Sequence, residues 1–304
     1  MPRALESFDV VGSSGVALRR ELAEADAFVG VSLRRYHTAK ANRLRLVQAF
    51  SAGTDGIDQR AVPPGCIFCN VRGHEQTIAE WVLMAALAVQ RRLLVHDWQL
   101  RRGVWHHGWD TAGVESDFGE RTLGSLGFGA IGERVTQLAR CLGMRTLAVT
   151  RSPSAERATA VDRLAPLADL RRLFEDSDVV VVCVPLRPET EGLVGRPELD
   201  ALGPGGILVN VARGPIVQER ALYEALRDAR LGGAALDVWY RYPKRGKTTP
   251  PATHPFWELE NVVMTPHVSG SSASTLRRRW EFIAAQLRRL AAGEPLKNVV
   301  ATGR

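Results

Sequence analysis

Three glycines in one short segment are candidate functional residues of this chain. Gly127, Gly129 and Gly132 lie in the stretch GFGAIG, between an apolar, strand-like run and an amphipathic, helix-like stretch. In that setting the first glycine permits a tight turn, the second lets a pyrophosphate approach the backbone, and the third lets the helix pack on the strand. The helix N-terminus favours the same anion. The motif predicts a dinucleotide site, with Ala130 and Ile131 in the first helical turn; the alternative is an ordinary glycine turn.

Three residues at the end of the next predicted strand bear on which dinucleotide would bind. An NAD site places an Asp or Glu about 20 residues beyond the glycines, where it binds the ribose 2′-hydroxyl. Here the strand ends in Thr150, Arg151 and Ser152. No carboxylate is present to repel a 2′-phosphate, whereas a guanidinium and two hydroxyl groups could bind one. This favours NADP(H) over NAD(H); if Arg151 points to solvent instead, either cofactor would bind.

Short apolar runs alternate with helix-like segments along most of the chain. Several runs are apolar without interruption, as expected for parallel strands covered on both faces. Nine strands are predicted at 27–31, 45–50, 66–71, 122–127, 145–150, 178–185, 205–212, 233–238 and 261–267. Two longer helices are predicted over 74–103 and 274–293. The alternation indicates a doubly wound α/β architecture, and the first long helix separates three early strands from six later ones, as a link between two domains would.

Composition limits the class of protein. The 304 residues are 45% apolar, which is enough for two cores. Lysine and arginine exceed aspartate and glutamate by 40 to 33, but as scattered short pairs rather than one basic face, which argues against nucleic-acid binding. No apolar run approaches the roughly 18 residues of a membrane span, and no signal sequence opens the chain. We therefore expect a cytoplasmic protein.

The cysteines give no sign of a metal or redox site. Cys66 and Cys69 have C-x-x-C spacing, but they fall in a predicted strand, where residues three apart point to opposite faces. No second cysteine pair and no pair of histidines lies nearby in the sequence. We predict reduced thiols and no bound metal.

Further stretches carry a resemblance to a known family. They read SAGTDGID (51–58), VVCVPLRPETEGLV (181–194), NVARGPIVQERALYEAL (210–226), AALDVWYRYP (234–243) and TPHVSG (265–270). With the glycine motif, and in this order, they resemble the D-isomer-specific 2-hydroxyacid dehydrogenases over roughly residues 5–300. The resemblance implies a Rossmann cofactor domain over 94–271 and a flavodoxin-like substrate domain built from 1–93 and 272–304, each doubly wound around a parallel sheet.

The resemblance also implies roles for single residues. Arg213 would bind the substrate carboxylate and polarise the carbonyl, and His267 would be the general acid/base. The backbone of Ala52, Gly53 and Thr54 would hold the other side of the carboxylate. Further contacts with the cofactor are implied for Val184, Pro185, Thr190, Val211, Ala212, Asp237 and Gly270.

Two of these implied cofactor residues have a specific partner. Asp237 would hydrogen-bond the nicotinamide carboxamide and so fix which face of the ring is presented, and Thr190 would lie near the phosphates.

Taken singly, an aspartate that follows a strand is also an ordinary turn former, and a histidine such as His267 is an ordinary strand-end residue. Their joint occurrence at strand ends, beside a phosphate-binding loop, is what favours the functional interpretation.

One position departs from the family pattern. The family usually has a glutamate five residues beyond the aspartate of the DVW segment, where it orients the histidine; here Tyr242 occupies that place after Asp237. We expect a neutral phenol to leave His267 with a lower pKa than a carboxylate would, although its oxygen could still accept the ring N–H and fix the tautomer. Two other interpretations are that Glu258 or Glu260 folds back toward the histidine, or that catalysis is weak or absent.

The sequence thus predicts an NADP(H)-preferring reductase of a small 2-ketoacid such as glyoxylate or hydroxypyruvate, acting as a homodimer with Trp98 and Trp105 in the interface. Substrate choice should depend on Arg72, His74 and the segment RRGVWHHGWD (101–110). One alternative is a nucleotide-sensing protein of the corepressor type on the same fold. Another is a formate dehydrogenase-like enzyme, because DVWYRYP partly matches the DVW-aromatic-x-Q-P setting of that branch.

The beginning of the chain differs from the family pattern as well. Almost nothing precedes the stretch FDVV, where the family usually has a strand and a helix. Either the first strand of the substrate domain is absent or the start codon is placed late. Both would leave an exposed sheet edge, so we expect stability to depend on a partner subunit.

Overall fold

The computed structural model describes residues 5, 8–12, 14–105, 116–244 and 246–303. The chain divides into two units. We call Glu75–Gly270 the central unit, and Met1–His74 together with Ser271–Arg304 the terminal unit, because both ends of the sequence contribute to it.

Helices and strands alternate from Leu93 to Leu236, as the sequence predicts for most of the chain. In chain order they are α1 (Gly15–Glu21), β1 (Ala27–Gly30), β2 (Leu46–Ala49), β3 (Ile67–Cys69), α2 (Glu75–Gln90), α3 (Leu93–Arg101), β4 (Thr122–Leu126), α4 (Ala130–Cys141), β5 (Arg145–Thr150), α5 (Ala155–Ala158), β6 (Arg163–Pro166), α6 (Leu170–Glu175), β7 (Val179–Val182), α7 (Arg196–Leu202), β8 (Ile207–Asn210), α8 (Glu219–Arg227), β9 (Gly233–Leu236), β10 (Val262–Met264), α9 (Ala273–Ala292) and β11 (Val299–Thr302).

A seven-stranded parallel sheet forms the middle of the central unit. Its strand order is β10-β9-β8-β7-β4-β5-β6. The chain first adds β5 and β6 on one side of β4, and then crosses over to add β7, β8, β9 and β10 on the other side. Open α/β sheets bind ligands beyond the carboxyl ends of their strands, at the point where the order reverses. Here that point lies between β4 and β7, and the glycine motif follows β4 directly.

Strand β7 shows why an uninterrupted apolar run becomes an inner strand. Val180 and Val182 pack in the core on one face of the sheet, and Val179 and Val181 pack in the core on the other. All four are fully buried, and each such side chain contributes roughly 1.5–3 kcal/mol by leaving water. The two cores hold the carboxyl ends of the strands in fixed positions, which is what a site at this edge requires.

The terminal unit has a smaller sheet in the order β1-β2-β3-β11. Strands β1 to β3 are parallel, whereas β11 runs antiparallel to β3. Cys66 lies in the core on one side of this sheet and Cys69 in the core on the other. The prediction that the two cysteines point to opposite faces is therefore confirmed. Both thiols are free.

Three features differ from the sequence-based description. The single helix predicted over 74–103 is two helices, because the chain leaves the helical conformation at Arg92, which has φ of 47°. Helix α2 packs on α4, β8 and β9 and belongs to the central unit, so the boundary drawn at residue 93 lies too late. The short strands β6 and β11 were not predicted, and β11 makes the sheet of the terminal unit mixed rather than purely parallel.

Candidate active site

The glycine motif forms a tight loop between β4 and α4. Gly127 has φ of 101°, a conformation that favours glycine, and a side chain there would lie 2.9 Å from the backbone of Cys183 and Val184 beyond β7. A side chain at Gly132 would overlap the carbonyl oxygen of Gly127, so the helix can begin this close to the strand only without one. Both glycines therefore have the packing roles that the motif predicts.

The second glycine has no packing role in the protein itself. Gly129 is the N-cap of α4, and a Cβ atom added there would meet no atom within 4 Å. The residue is also exposed. The loop thus leaves open space directly in front of the first helical turn, formed by Ala130 and Ile131, whose backbone N–H groups have no partner within the helix. An anionic group such as a pyrophosphate would fit this space, because the N-terminus of a helix attracts negative charge.

The hydroxyl group of a buried serine stabilises the loop. The side chain of Ser125, fully buried in β4, donates a hydrogen bond of 2.8 Å to the carbonyl of Gly127. Burial raises the pKa of the neighbouring Cys183 thiol to about 12, so this cysteine is a neutral packing residue at neutral pH. Neither residue was singled out in the sequence.

The residues expected to bind the adenosine ribose lie at the end of β5. Arg151 and Ser152 are exposed, and Thr150 is half-buried. Arg151 makes no hydrogen bond or ion pair with any residue that the structure describes. A second guanidinium, that of Arg157, lies 2.8 Å from a carboxylate oxygen of Glu133 in the first part of α4, and it was not predicted.

Arg213 follows β8, where an asparagine shapes the turn. The amide of Asn210, almost fully buried, donates to the Arg213 carbonyl over 3.1 Å and accepts the Ala212 N–H over 3.1 Å. Gly214 packs so closely on the Trp239 carbonyl that a side chain there would overlap it. These contacts explain the spacing N-V-A-R-G, and they fix the backbone from which the half-buried Arg213 side chain extends.

Asp237 follows β9 and lies inside the protein. It is 0% exposed, and its carboxylate accepts hydrogen bonds from the Thr265 hydroxyl and from the N–H groups of Val268 and Ser269, the last two at 2.8 Å. These donors belong to the turn that follows β10. The bonds observed for Asp237 therefore hold that turn.

His267 lies in the middle of the same turn and is exposed. Its φ is 60°, in the left-handed region that residues with a side chain rarely adopt. Such backbone strain is common at functional positions, where surrounding contacts impose it. The imidazole therefore faces outward, whereas hydrogen bonds to the buried Asp237 hold the backbone of the turn.

Tyr242, at the position of the family's glutamate, contacts this imidazole. The phenol oxygen lies 3.0 Å from Nδ1 of His267, and the rings are 5.7 Å apart at their centroids. The Trp239 N–H also donates to the phenol oxygen, over 3.3 Å. Nδ1 is directed at the phenol, and the second ring nitrogen, Nε2, lies on the opposite side of the imidazole. A neutral hydroxyl group can either donate to Nδ1 or accept from it, whereas a carboxylate could only accept.

The other acidic candidates lie elsewhere. Glu260 pairs with Arg92 at 3.9 Å, and Glu258 lines a groove of about 360 Å³ together with both residues. Both glutamates precede β10, whereas His267 follows it. Neither glutamate takes the place of the family's carboxylate.

In the terminal unit, the loop formed by Ala52, Gly53 and Thr54 is shaped by two side chains. The Ser51 hydroxyl donates to the Gly53 carbonyl over 2.7 Å, and the Asn70 amide donates to the Ala52 carbonyl over 2.8 Å. Asn70 was not predicted. Because these bonds occupy carbonyl oxygens, they leave the N–H groups of the loop as the groups that could bind a carboxylate.

Comparison with known proteins identifies the family. The model of the D-isomer specific 2-hydroxyacid dehydrogenase NAD binding domain matches residues 83–269. This chain belongs to the D-isomer specific 2-hydroxyacid dehydrogenases. As a 2-hydroxyacid dehydrogenase it is an oxidoreductase that uses NAD(P), and the resemblance stated from the sequence motifs is confirmed.

Relatives and solved structures agree with this assignment. The dehydrogenase is similar to a glyoxylate reductase from Korarchaeum cryptofilum, with 34% identity over 265 residues, which is 86% of this chain and 77% of that protein. It is 30% identical to a D-3-phosphoglycerate dehydrogenase from Methanocaldococcus jannaschii over 98% of this chain, which spans 57% of that relative's length. A D-isomer specific 2-hydroxyacid dehydrogenase from Xanthobacter autotrophicus Py2, solved in complex with NADPH and MES, has a TM-score of 0.76 and 29% identity, covering 92% of this chain and 85% of that one.

The remaining predicted site residues of the dehydrogenase are placed as follows. The Thr190 hydroxyl is buried and bonds within its own loop, to the Pro185 carbonyl at 2.7 Å and to the Arg187 N–H at 2.8 Å, so it shapes that loop. Val211 is buried. Val184, Ala212 and Gly270 are half-buried, and Pro185 is exposed. Of the expected specificity positions, Arg72 is exposed, His74 is buried, and residues 106–110 lie outside the described residues.

Two features are absent from the described part of the dehydrogenase. None of its helices is both long and apolar enough to span a membrane. No group of three or more His, Cys, Asp or Glu side chains among those residues could hold a metal ion.

Proposed function

We propose that the dehydrogenase reduces a small 2-ketoacid of the glyoxylate or hydroxypyruvate type, with NADPH as the preferred cofactor. The observation that carries this proposal is the exposed imidazole of His267, held by Tyr242 through Nδ1, in the turn after β10. Arg213 follows β8, and β8, β9 and β10 are neighbours in one parallel sheet. A fixed proton donor and a guanidinium at the same sheet edge are the groups that reduction of a 2-ketoacid needs.

The chemistry divides between the protein and the cofactor. When bound, the reduced nicotinamide supplies a hydride to the ketone carbon. Protonated His267 gives the proton from Nε2 to the ketone oxygen as negative charge develops there, which yields the 2-hydroxyacid. Arg213 pairs its planar guanidinium with the substrate carboxylate and draws electron density from the adjacent carbonyl.

The glycine loop supports cofactor binding at a defined place. Gly127 and Gly132 are packed against the protein, whereas the space beside Gly129 is open. The pyrophosphate would lie in that space, above the first turn of α4. Replacing Gly129 by alanine should therefore weaken cofactor binding at least tenfold without changing the melting temperature. Gly205→Ala is the matched control, because a side chain there also meets no atom within 4 Å.

The preference for NADPH rests on Arg151. Its exposed guanidinium follows β5, with Ser152 beside it, where an NAD-specific site would have a carboxylate. A charge-assisted hydrogen bond contributes roughly 1.5–3 kcal/mol, which corresponds to about a 10- to 100-fold change in binding. Arg151→Ala should raise the KM for NADPH by that factor and leave the KM for NADH nearly unchanged. Arg145→Ala, at the opposite end of the same strand, is the control.

The central experiment measures oxidation of NADPH and NADH with glyoxylate and hydroxypyruvate by absorbance of the nicotinamide. We expect turnover with NADPH, reduced about 10²- to 10⁴-fold in His267→Ala, the usual contribution of a general acid, and comparably reduced in Arg213→Ala. Tight NADPH binding without turnover on a wide ketoacid panel would overturn the proposal and favour a nucleotide-sensing role. Formation of NADPH from NADP⁺ and formate would instead favour a formate dehydrogenase.

We further propose that the dehydrogenase acts as a homodimer that buries α3. No residue of this helix is buried, even though several of them are apolar. Leu94 and Trp98 each have more than half of their surface exposed, and Trp105, beyond the helix, is 82% exposed. Apolar patches of this kind mark association surfaces. Leu94→Glu should convert a dimer into a monomer by light scattering, whereas Leu276→Glu, at another exposed leucine, should not. A monomeric wild-type protein would refute this proposal.

A further inference from the structure

The loop that carries Tyr242 is closed at its base by its own backbone. We call residues 240–254 the Tyr242 loop. The N–H groups of Tyr240 and Arg241, at its beginning, both donate to the Pro251 carbonyl near its end, over 3.2 and 2.8 Å. Because the two ends of the loop bond to each other, a group that holds one end also restrains the other.

A single carboxylate holds the far end of this loop. Glu219 is the first residue of α8, and its Oε1 atom accepts hydrogen bonds from the backbone N–H groups of Thr253 and His254, the second over 2.9 Å. The Nδ1 atom of the His254 ring lies 3.1 Å from the same oxygen. Although burial alone would raise the pKa of Glu219, the hydrogen bonds from His254 and Thr253 hold it below its usual range. The acceptor is therefore ionised at neutral pH, which makes these bonds stronger than neutral ones.

Aromatic packing supports the same anchor. The His254 ring lies against Tyr223 of α8, with ring centroids 5.1 Å apart, and the fully buried Phe256 packs on Tyr223 and Tyr240 at 5.5 and 6.4 Å. The Tyr240 hydroxyl donates to the Val217 carbonyl over 2.9 Å, just before α8 begins. Both ends of the Tyr242 loop are thus attached to one element, the beginning of α8.

We infer that Glu219 is a positioning residue, which anchors the Tyr242 loop and so keeps the phenol of Tyr242 on Nδ1 of His267 in the histidine turn after β10. This rests on the proposed function, in which His267 donates the proton. Tyr242 follows Arg241 directly, so a displacement of the base of the loop moves the phenol, which lies only 3.0 Å from Nδ1. Since α8 follows β8 and Tyr242 follows β9, the carboxylate also links the exits of two neighbouring strands.

Glu219→Ala removes the anchor and tests the inference. We expect kcat for ketoacid reduction to fall about fivefold, the factor for the loss of one neutral hydrogen bond to the imidazole. The dissociation constant of NADPH should stay within twofold, because the glycine loop is unchanged. Glu224→Ala is the matched control and should change neither quantity, since Glu224 lies in the same helix but pairs with Arg220.

Glu219→Gln is the conservative variant that should restore the rate. All three contacts use Oε1, and Oε2 makes no hydrogen bond to any residue that the structure describes. The amide oxygen of glutamine can accept the same bonds, so we expect kcat to lie within twofold of the wild-type value. Equal losses in the glutamine and alanine variants would overturn the inference, because the hydrogen-bonded anchor would then not be what matters.

Glu219→Ala in a Tyr242→Phe background separates positioning from other roles. If Glu219 acts through the phenol, the alanine substitution should lower kcat less than twofold there, because the hydroxyl group that it positions is already absent. An equal fivefold loss in both backgrounds would overturn the inference. So would an unchanged kcat with a lower melting temperature, which would assign Glu219 only to the stability of the first turn of α8.

A readout without turnover keeps the test independent of the proposed activity. Nitrogen NMR of the protein without cofactor, with the His267 signal assigned by its loss in His267→Ala, reports the hydrogen bond at Nδ1. We expect that signal to shift in Glu219→Ala toward its position in Tyr242→Phe, and not to shift in Glu224→Ala. If Glu219→Ala does not fold, His254→Ala removes one of the three contacts and should shift the signal in the same direction. An unshifted signal would overturn the inference, whereas unchanged turnover in His267→Ala would overturn the proposed function alone.

Discussion

Replacing Tyr242 by glutamate should raise the pKa of His267 by about 0.7. The phenol oxygen lies 3.0 Å from Nδ1, and the shorter glutamate would place its charge about 4–6 Å from the ring, within the range that shifts a pKa. Opposite charges at that distance attract by roughly 1 kcal/mol in water and several kcal/mol at an effective dielectric constant of 20. Because Tyr242 is 48% exposed, the lower value applies, and since about 1.4 kcal/mol corresponds to one pKa unit, the pKa should rise by about 0.7.

The sign follows from the direction of the reaction. Ketoacid reduction needs the protonated imidazole, so kcat/KM falls as pH rises through the pKa of His267 in the free enzyme. A raised pKa keeps the ring protonated to higher pH. The falling limb of the profile should therefore move up by about 0.7 pH unit in Tyr242→Glu. Rates of NADPH oxidation between about pH 5 and 9 cover the pKa range in which histidine titrates.

A neutral variant of similar shape provides the control. Tyr242→Gln has nearly the same size and polarity as the glutamate variant but no charge, so its profile should not move upward. Tyr242→Phe removes only the hydroxyl group and should lower kcat about fivefold, the equivalent of roughly 1 kcal/mol for one neutral hydrogen bond. Superimposable profiles for the glutamate and glutamine variants would show that position 242 does not act on the group that titrates, which would refute the reasoning.

Three further predictions concern packing, thiols and acid stability. Gly132→Ala should destabilise the protein by about 1–3 kcal/mol, as overpacking does, and should also weaken NADPH binding; an unchanged melting temperature would contradict the observed packing. Burial raises the pKa of the Cys66 thiol to about 12, so iodoacetamide at about pH 8 should modify the exposed Cys141 first, as peptide mass spectrometry would show. The Thr146 N–H holds the pKa of Asp162 below its usual range, so Asp162 stabilises the fold above its unfolded pKa and this contribution is lost as pH falls through the lower folded pKa. Asp162→Asn should therefore lower the melting temperature at pH 7 but not at about pH 2.

The sequence predicted the parts of the fold that depend on local pattern. The run Val179–Val182 is apolar without interruption, and it became an inner strand buried on both faces. The helix predicted over 274–293 differs from α9 by only one residue at each end. Its limits could be predicted because a serine N-cap and a terminal glycine mark them. The resemblance to the family placed Tyr242 at the position of the glutamate that orients the histidine, and its phenol lies 3.0 Å from His267 Nδ1.

What the sequence could not give depends on contacts between distant residues. No glycine or proline marks the break at Arg92, and the apolar pattern continues through it, so one long helix was predicted. Strand β11 is short, and its place is set by pairing with β3, more than 200 residues away in the chain. The sequence could not predict the complete burial of Asp237, because that burial depends on the turn after β10.

The placement of β11 has a consequence for how the chain assembles during synthesis. The central unit is continuous in sequence, so all of its contacts become available before the last part of the chain emerges. The first three strands must wait, since the edge of β3 stays open until Val299–Thr302 pairs with it. Until then the apolar stretch Ile67–Cys69 offers an unpaired edge of the kind that promotes aggregation. Chains truncated before Val299 should accumulate in inclusion bodies even though their glycine loop and histidine turn are intact.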